Sequence, residues 1–109
     1  MAYLPDRGDL IWLDFDPSAG VEIQKRRPAL VLSPRIFNSK TRHAVVVPVT
    51  STVRGTGMEV QLMDTQTRGA AVCHQIRSLS WEARNSAFIE EAPAEVTNSA
   101  LAKVSAIFK

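Results

Sequence analysis

Ala44-Val45-Val46-Val47-Pro48-Val49-Thr50 is the stretch whose reading decides the fold. Its β-branched residues suit a pleated, half-buried surface, so it predicts a strand. Pro48 cannot donate to a sheet ladder, which predicts a bulge or an edge at that point. The same run is the longest apolar one in the chain and is far short of the roughly 20 residues needed to cross a bilayer. Upstream, Pro28-Ala29-Leu30-Val31-Leu32 predicts another strand, with its proline at the first position. Ser33-Pro34 between the two reads as an N-cap and a helix-starting proline, giving a short helix over 35–39. Leu10-Ile11-Trp12-Leu13-Asp14-Phe15 predicts a first strand, and 16–27, with Pro17, Gly20 and three consecutive bases, a long loop.

Downstream, Met58, Val60 and Leu62 alternate with polar or exposed positions and predict a half-buried strand. Ala70 to Ile76 reads as one further strand, 80–84 as a single helical turn and 86–89 as a short strand. After Pro93 the spacing changes, and Val96, Ala100, Leu101, Val104, Ile107 and Phe108 recur at helical intervals, predicting a C-terminal amphipathic helix. Several strands, one terminal helix and no strand-helix alternation predict a mainly antiparallel sheet or a partly open small barrel.

A chain of 109 residues fits one domain, 1–109. A domain of this size removes only about two-thirds of its extended-chain surface from water, so pairing with a second copy is a natural way to bury more. The N-terminus has no apolar leader, and the single Cys73 excludes an internal disulfide and fits a reducing cytoplasm. Net charge is +2 but unevenly placed: residues 1–16 hold four acids and one base, 17–77 three acids and nine bases, and 78–109 four acids and three bases. A basic middle of +6 suits a polyanionic partner, because each neutralised phosphate releases counterions.

Cutting RNA without a metal requires a base for the 2′-hydroxyl, donors for the crowded phosphorane and an acid for the leaving oxygen. Arg27 offers a planar fork matched to phosphate oxygens, and Pro28 after it pushes its backbone to an extended conformation. Spacing alone favours a surface ion pair over a phosphate contact for it. Thr50 and Ser51 form a hydroxyl-rich strand end suited to phosphate or sugar oxygens, or simply end a strand. Glu22 can act as a base, bond a nucleobase or pair with Lys25 or Arg26. His74, beside Gln75 and Arg77, is either structural or substrate-contacting, and His43 lies in a turn. No His-Glu-x-x-His, paired-aspartate motif or glycine-rich phosphate loop is present, so neither a metal nor a cofactor is expected.

The ordered set Gly8-Asp9-Leu10-Ile11-Trp12-Leu13-Asp14-Phe15-Asp16-Pro17, Gly20-Val21-Glu22, Arg27 to Pro34, Val47-Pro48-Val49-Thr50 and His74-Gln75-Ile76-Arg77-Ser78 resembles the MazF/PemK/Kid toxin ribonucleases nearly end to end. The resemblance implies an SH3-like barrel of the CcdB/MazF type and a homodimer with single-stranded RNA bound along its interface. It also implies cleavage that leaves a 2′,3′-cyclic phosphate and a 5′-hydroxyl. A cognate antitoxin would occupy the same groove with a disordered acidic tail. The family's catalytic arginine and threonine fall on Arg27 and Thr50. Its groove positions fall on or near Phe15, Asp16, Glu22, Ser51, His74, Gln75 and Arg77, with Lys25 and Arg26 adding charge. Relatives carry an aspartate or glutamate where this chain has His74, and Val72 stands where the Kid-type toxin has an arginine, so that toxin's Arg/Asp scheme does not transfer. Two other uses of such a barrel are a CcdB-like topoisomerase poison and a non-catalytic interaction module, neither of which requires Arg27-Pro28 and Thr50.

Overall fold

The structure, a computed structural model, describes residues 3–109. Its elements run β1 (Asp9–Asp14), β2 (Arg26–Val31), α1 (Arg35–Thr41), β3 (His43–Thr50), β4 (Glu59–Gln61), β5 (Ala70–Val72), a 3-10 turn (Cys73–Gln75), β6 (Arg77–Ser80), β7 (Ala87–Glu91) and α2 (Ala94–Ile107). The strands form one antiparallel sheet in the order β4-β5-β3-β2-β1-β7, with β6 also on β3. No pairing joins β4 to β7 among the described residues, so the sheet is mainly β, bent and open, as expected of a partly open barrel.

β3 is the pivot. Along one edge its first half pairs with β6, down to Val46↔Arg77, and its second half pairs with β5, from Val49↔Ala71 to Thr50↔Ala70. Pro48 falls in the gap between those partners. Leu32 N–H donates to Val45 O on the β2 side, so backbone alternation turns the nitrogen of Pro48 the other way, into that gap. The sequence expectation of an irregularity at Pro48 takes the form of a partner switch.

Two apolar clusters cover the faces. Leu10, Leu30, Val47 and Val49 pack beneath α2 through Val96, Ala100 and Val104. Ile11, Leu13, Phe15, Ala29, Val31, Val46 and Trp81 pack on the other face. The amphipathic C-terminal helix is present and buries Val96, Ala100 and Val104, with Leu101 partly buried, whereas Ile107 and Phe108 at its end are exposed; Cys73 is a core residue.

Three expectations are corrected. Ala70 to Ile76 is not one strand: it breaks after Val72 into the 3-10 turn, where Cys73 is buried and its N–H donates to Met58 O at 2.9 Å. Ser33 does not cap α1, since Pro34 holds that position; the Ser33 hydroxyl instead donates to buried Asn38 Oδ1 and accepts from Val45 N–H at 2.8 Å. β2 starts at Arg26 rather than Pro28, and the loop is correspondingly shorter.

Candidate functional site

The β2–β3 register is Val31↔Val46, Leu30↔Val47 and Ala29↔Pro48. The pairing stops where Pro28 has no N–H to offer, although both strands run on. Continued two residues, the same register sets Arg27 level with Thr50, and directly opposed residues point to the same face of a sheet. Arg27 is half-buried, paired on its other side with Leu13, and its Nε donates to Gln24 O at 3.2 Å. Thr50 is half-buried at the strand end, where its Oγ1 accepts from Thr52 N–H at 3.1 Å. That bond fixes the oxygen while leaving its hydrogen free to donate outward.

Beside Thr50 opens a cleft of about 470 Å³. One wall is the β1–β2 loop at Val21 and Ile23, the opposite wall the loop carrying Thr52, Arg54 and Thr56, and the floor Val72, His74 and Gln75. A second hollow of about 210 Å³ shares Val21, His74 and Gln75 with it and continues to Glu22 and Arg77. Together they form one groove. The structure thus brings Thr50, His74, Gln75, Glu22 and Arg77 to one groove, while Arg27 faces Thr50 only by continuation of the β2–β3 register beyond its last observed pair. Neither hollow is lined by Phe15, Asp16, Lys25, Arg26, Arg27 or Ser51.

Those residues do other work. Phe15 is fully buried, with the Arg77 guanidinium 6.0 Å from its ring centre. Asp16 Oδ1 accepts from Lys25 N–H at 3.0 Å, and Lys25 O accepts from Phe15 N–H, which closes the base of the loop. Arg77 Nη1 donates to Phe15 O (3.0 Å) and Ser18 Oγ (3.1 Å), and Arg84 Nη1 to Asp16 O (2.8 Å). Gln75 Oε1 accepts from Ile23 N–H at 2.8 Å, tying the loop to the floor. Glu22 makes no ion pair with Lys25 or Arg26 among the described residues; its Oε1 accepts from Ala19 N–H at 2.8 Å. Arg26 pairs instead with Asp14 at 3.0 Å. Hydrogen bonds from Asn85 and then Arg26 hold the Asp14 carboxyl below the usual aspartate range. Ser51 is exposed at the end of β3, and His74 is exposed on the floor.

Sequence reasoning missed Arg54 and Glu59. Glu59 Oε1 accepts from both Arg54 N–H (3.0 Å) and Gly55 N–H (2.8 Å), which shapes the wall opposite the β1–β2 loop. A carboxylate four or five residues after the N–H groups it caps gives no charge pattern to read. The Cys73 thiol, pushed up to about 11 by burial, is no nucleophile here. Among the described residues no group of three or more His, Cys, Asp or Glu side chains is arranged to hold a metal ion.

A groove that carries the Thr50 hydroxyl with Arg54, His74 and Arg77 offers donors to a phosphodiester, and comparison with known proteins identifies the lineage. A family model described as the PemK-like, MazF-like toxin of type II toxin-antitoxin systems matches residues 6–108. The chain belongs to this family. The endoribonuclease toxin MazF of Escherichia coli K12 is 46% identical to this MazF-like chain over 82 residues, 75% of the chain and 74% of that protein. The Escherichia coli endoribonuclease PemK is 37% identical over 107 residues, covering 94% and 80%. Among solved structures, MazF from Deinococcus radiodurans superposes with a TM-score of 0.94 at 40% identity, covering 98% of each chain. A MazE-MazF structure from the same organism gives 0.87 at 40% identity, covering 98% and 97%.

Proposed function

We propose that this MazF-like endoribonuclease toxin cuts single-stranded RNA, messenger RNA foremost, at short sequence motifs without a metal ion. The observation that supports the reading is that Thr50 lines a groove with His74 and Gln75, at the end of a strand whose register with β2, continued two residues, sets Arg27 opposite it. In the reaction the 2′-oxygen attacks phosphorus as it loses its proton, and the bond to the 5′-oxygen breaks as that oxygen gains one. The products are a 2′,3′-cyclic phosphate and a 5′-hydroxyl. Arg27 binds the charge that builds on the phosphorane, where a preorganised donor acts more strongly than in the ground state. The Thr50 hydroxyl, held by Thr52 N–H, donates to a non-bridging oxygen and orients the phosphate. His74, Gln75, Arg77 and Glu22 line the path of the neighbouring nucleotides and read bases or sugars.

The toxin works as a cytoplasmic homodimer, and a cognate antitoxin places an acidic tail in the same groove. The +6 middle segment, exposed Trp12 and Phe88, and the MazE-MazF structures of the Deinococcus radiodurans relative support that assembly. RNA and antitoxin then exclude one another; isolation of a ternary complex at saturating concentrations contradicts this.

The test is incubation of the purified protein with mixed-sequence single-stranded RNA in EDTA, beside Arg27→Ala. Wild type should cut and leave ends that a polynucleotide kinase labels directly, and the variant should be slower by about 10²- to 10³-fold. Intact RNA with wild type points to the poison or interaction-module uses.

A further inference from the structure

Gly69 stands immediately before β5 and touches the site from behind. Its φ is +121°, a backbone conformation that L side chains rarely adopt. A Cβ added there would lie 2.1 Å from the Thr50 carbonyl oxygen, 2.9 Å from the Thr50 carbonyl carbon and 3.3 Å from Ser51 Cα. These are backbone atoms, so no side chain can swing aside to make room. Gly69 is itself held: its carbonyl accepts from Leu62 N–H at 2.9 Å, and the next residue, Ala70, pairs with Thr50. Thr50 is therefore packed between β5 on one side and the turn to Thr52 on the other, with glycine as the spacer that lets the two backbones meet. The other glycines differ: Gly20, Gly55 and Gly57 have nothing within 4 Å of an added Cβ, and Gly8 has only a side-chain oxygen at 3.5 Å.

We propose that Gly69 is a positioning residue for the reaction, setting the end of β3 so that the Thr50 hydroxyl meets the scissile phosphate. The inference rests on the reading of Thr50 given above. A methyl at position 69 must displace the Thr50 carbonyl by about 1 Å, an error that in a catalytic constellation costs on the order of 10²-fold in rate. His74 and Gln75 stand in the 3-10 turn after β5 and are not among the atoms that a Cβ at position 69 meets, so RNA affinity should stay near that of wild type.

The experiment compares Gly69→Ala, Thr50→Val and the double variant on one RNA, with affinity measured on an uncleavable 2′-O-methyl analogue. Gly69→Ala should lower kcat about 100-fold and leave analogue affinity within about threefold of wild type. Because its effect runs through Thr50, the double variant should be no more than about threefold slower than Thr50→Val, where independent structural damage would multiply. A Gly69→Ala enzyme at wild-type kcat, or a double variant showing the product of both losses, overturns the proposal. Thr50→Val at wild-type rate overturns the reading of Thr50 instead, whatever residue 69 does. Should Gly69→Ala fail to fold, D-alanine is placed at 69 by ligation at the Val72-Cys73 junction. Its handedness suits the positive φ and puts its methyl on the other Cα hydrogen, so kcat within about threefold of wild type is expected, and a 100-fold loss overturns the proposal.

Discussion

The strand wall of the groove and its loop wall are held in different ways. Thr50 sits in a ladder with Ala70 and rests on the backbone of Gly69. The β1–β2 loop has no ladder across the groove: Gln75 holds it at Ile23, Arg77 at Phe15 and Ser18, Arg84 at Asp16, and Asp16 at Lys25. A ladder shifts only as a unit, so the strand wall can keep a reacting group fixed to a few tenths of an ångström. Single side-chain bonds of about 1 to 3 kcal/mol each can be exchanged one at a time, which makes the loop wall the natural place for RNA preference to differ between relatives. On the proposed function, chemistry belongs to the first wall and recognition to the second.

That division is open to attack from both sides. The largest effect belongs to the strand wall: Thr50→Val keeps the side-chain shape, removes the hydroxyl and should cost about 10²-fold in kcat with KM nearly unchanged, as read in single-turnover and steady-state cleavage. A rise in KM at constant kcat would move Thr50 into the recognition class. Next comes Gln75→Ala, which releases Ile23 N–H and loosens the loop; KM should rise about fivefold, the worth of one hydrogen bond, with a smaller change in kcat. A 10²-fold fall in kcat for this variant would erase the distinction between the walls.

The smallest effect is one of stability at the loop base. Asn85 and Arg26 bond the ionised Asp14, so its pKa in the folded state lies below that in the unfolded chain. The contribution is fully present above the unfolded value, near pH 4, and is lost as pH falls through the folded one. The Tm difference between wild type and Asp14→Ala should therefore be constant near neutral pH and shrink below about pH 4. A difference that does not shrink at all as pH falls below about 4 would mean that the carboxylate's charge is irrelevant.

The strand wall was also the more legible from sequence. β1, β2 and β3 follow from short apolar, β-branched runs, because these strands are buried on both faces, and α2 follows from helical spacing. Arg27 and Thr50 stand in these elements, so the register could bring them level. The break at Cys73–Gln75 could not be read, since no glycine or proline marks it; it is set by Cys73 N–H reaching Met58 O across the fold. Ser33 misled for a similar reason, its hydroxyl being drawn to buried Asn38 instead of the helix start. The roles of Arg77, Asp16 and Lys25 in tying down the loop are likewise tertiary: each partner is many residues away or on the backbone, where side-chain identity leaves no trace.

The most direct test is a crystal structure of the toxin with a single-stranded RNA carrying a 2′-deoxy sugar at its cleavage position, so that attack is blocked but the phosphate stays. Both the Arg27 guanidinium and the Thr50 hydroxyl should lie within hydrogen-bond distance of that one phosphate. A scissile phosphate held by other groups, with either of the two pointing elsewhere in every protomer, contradicts the account.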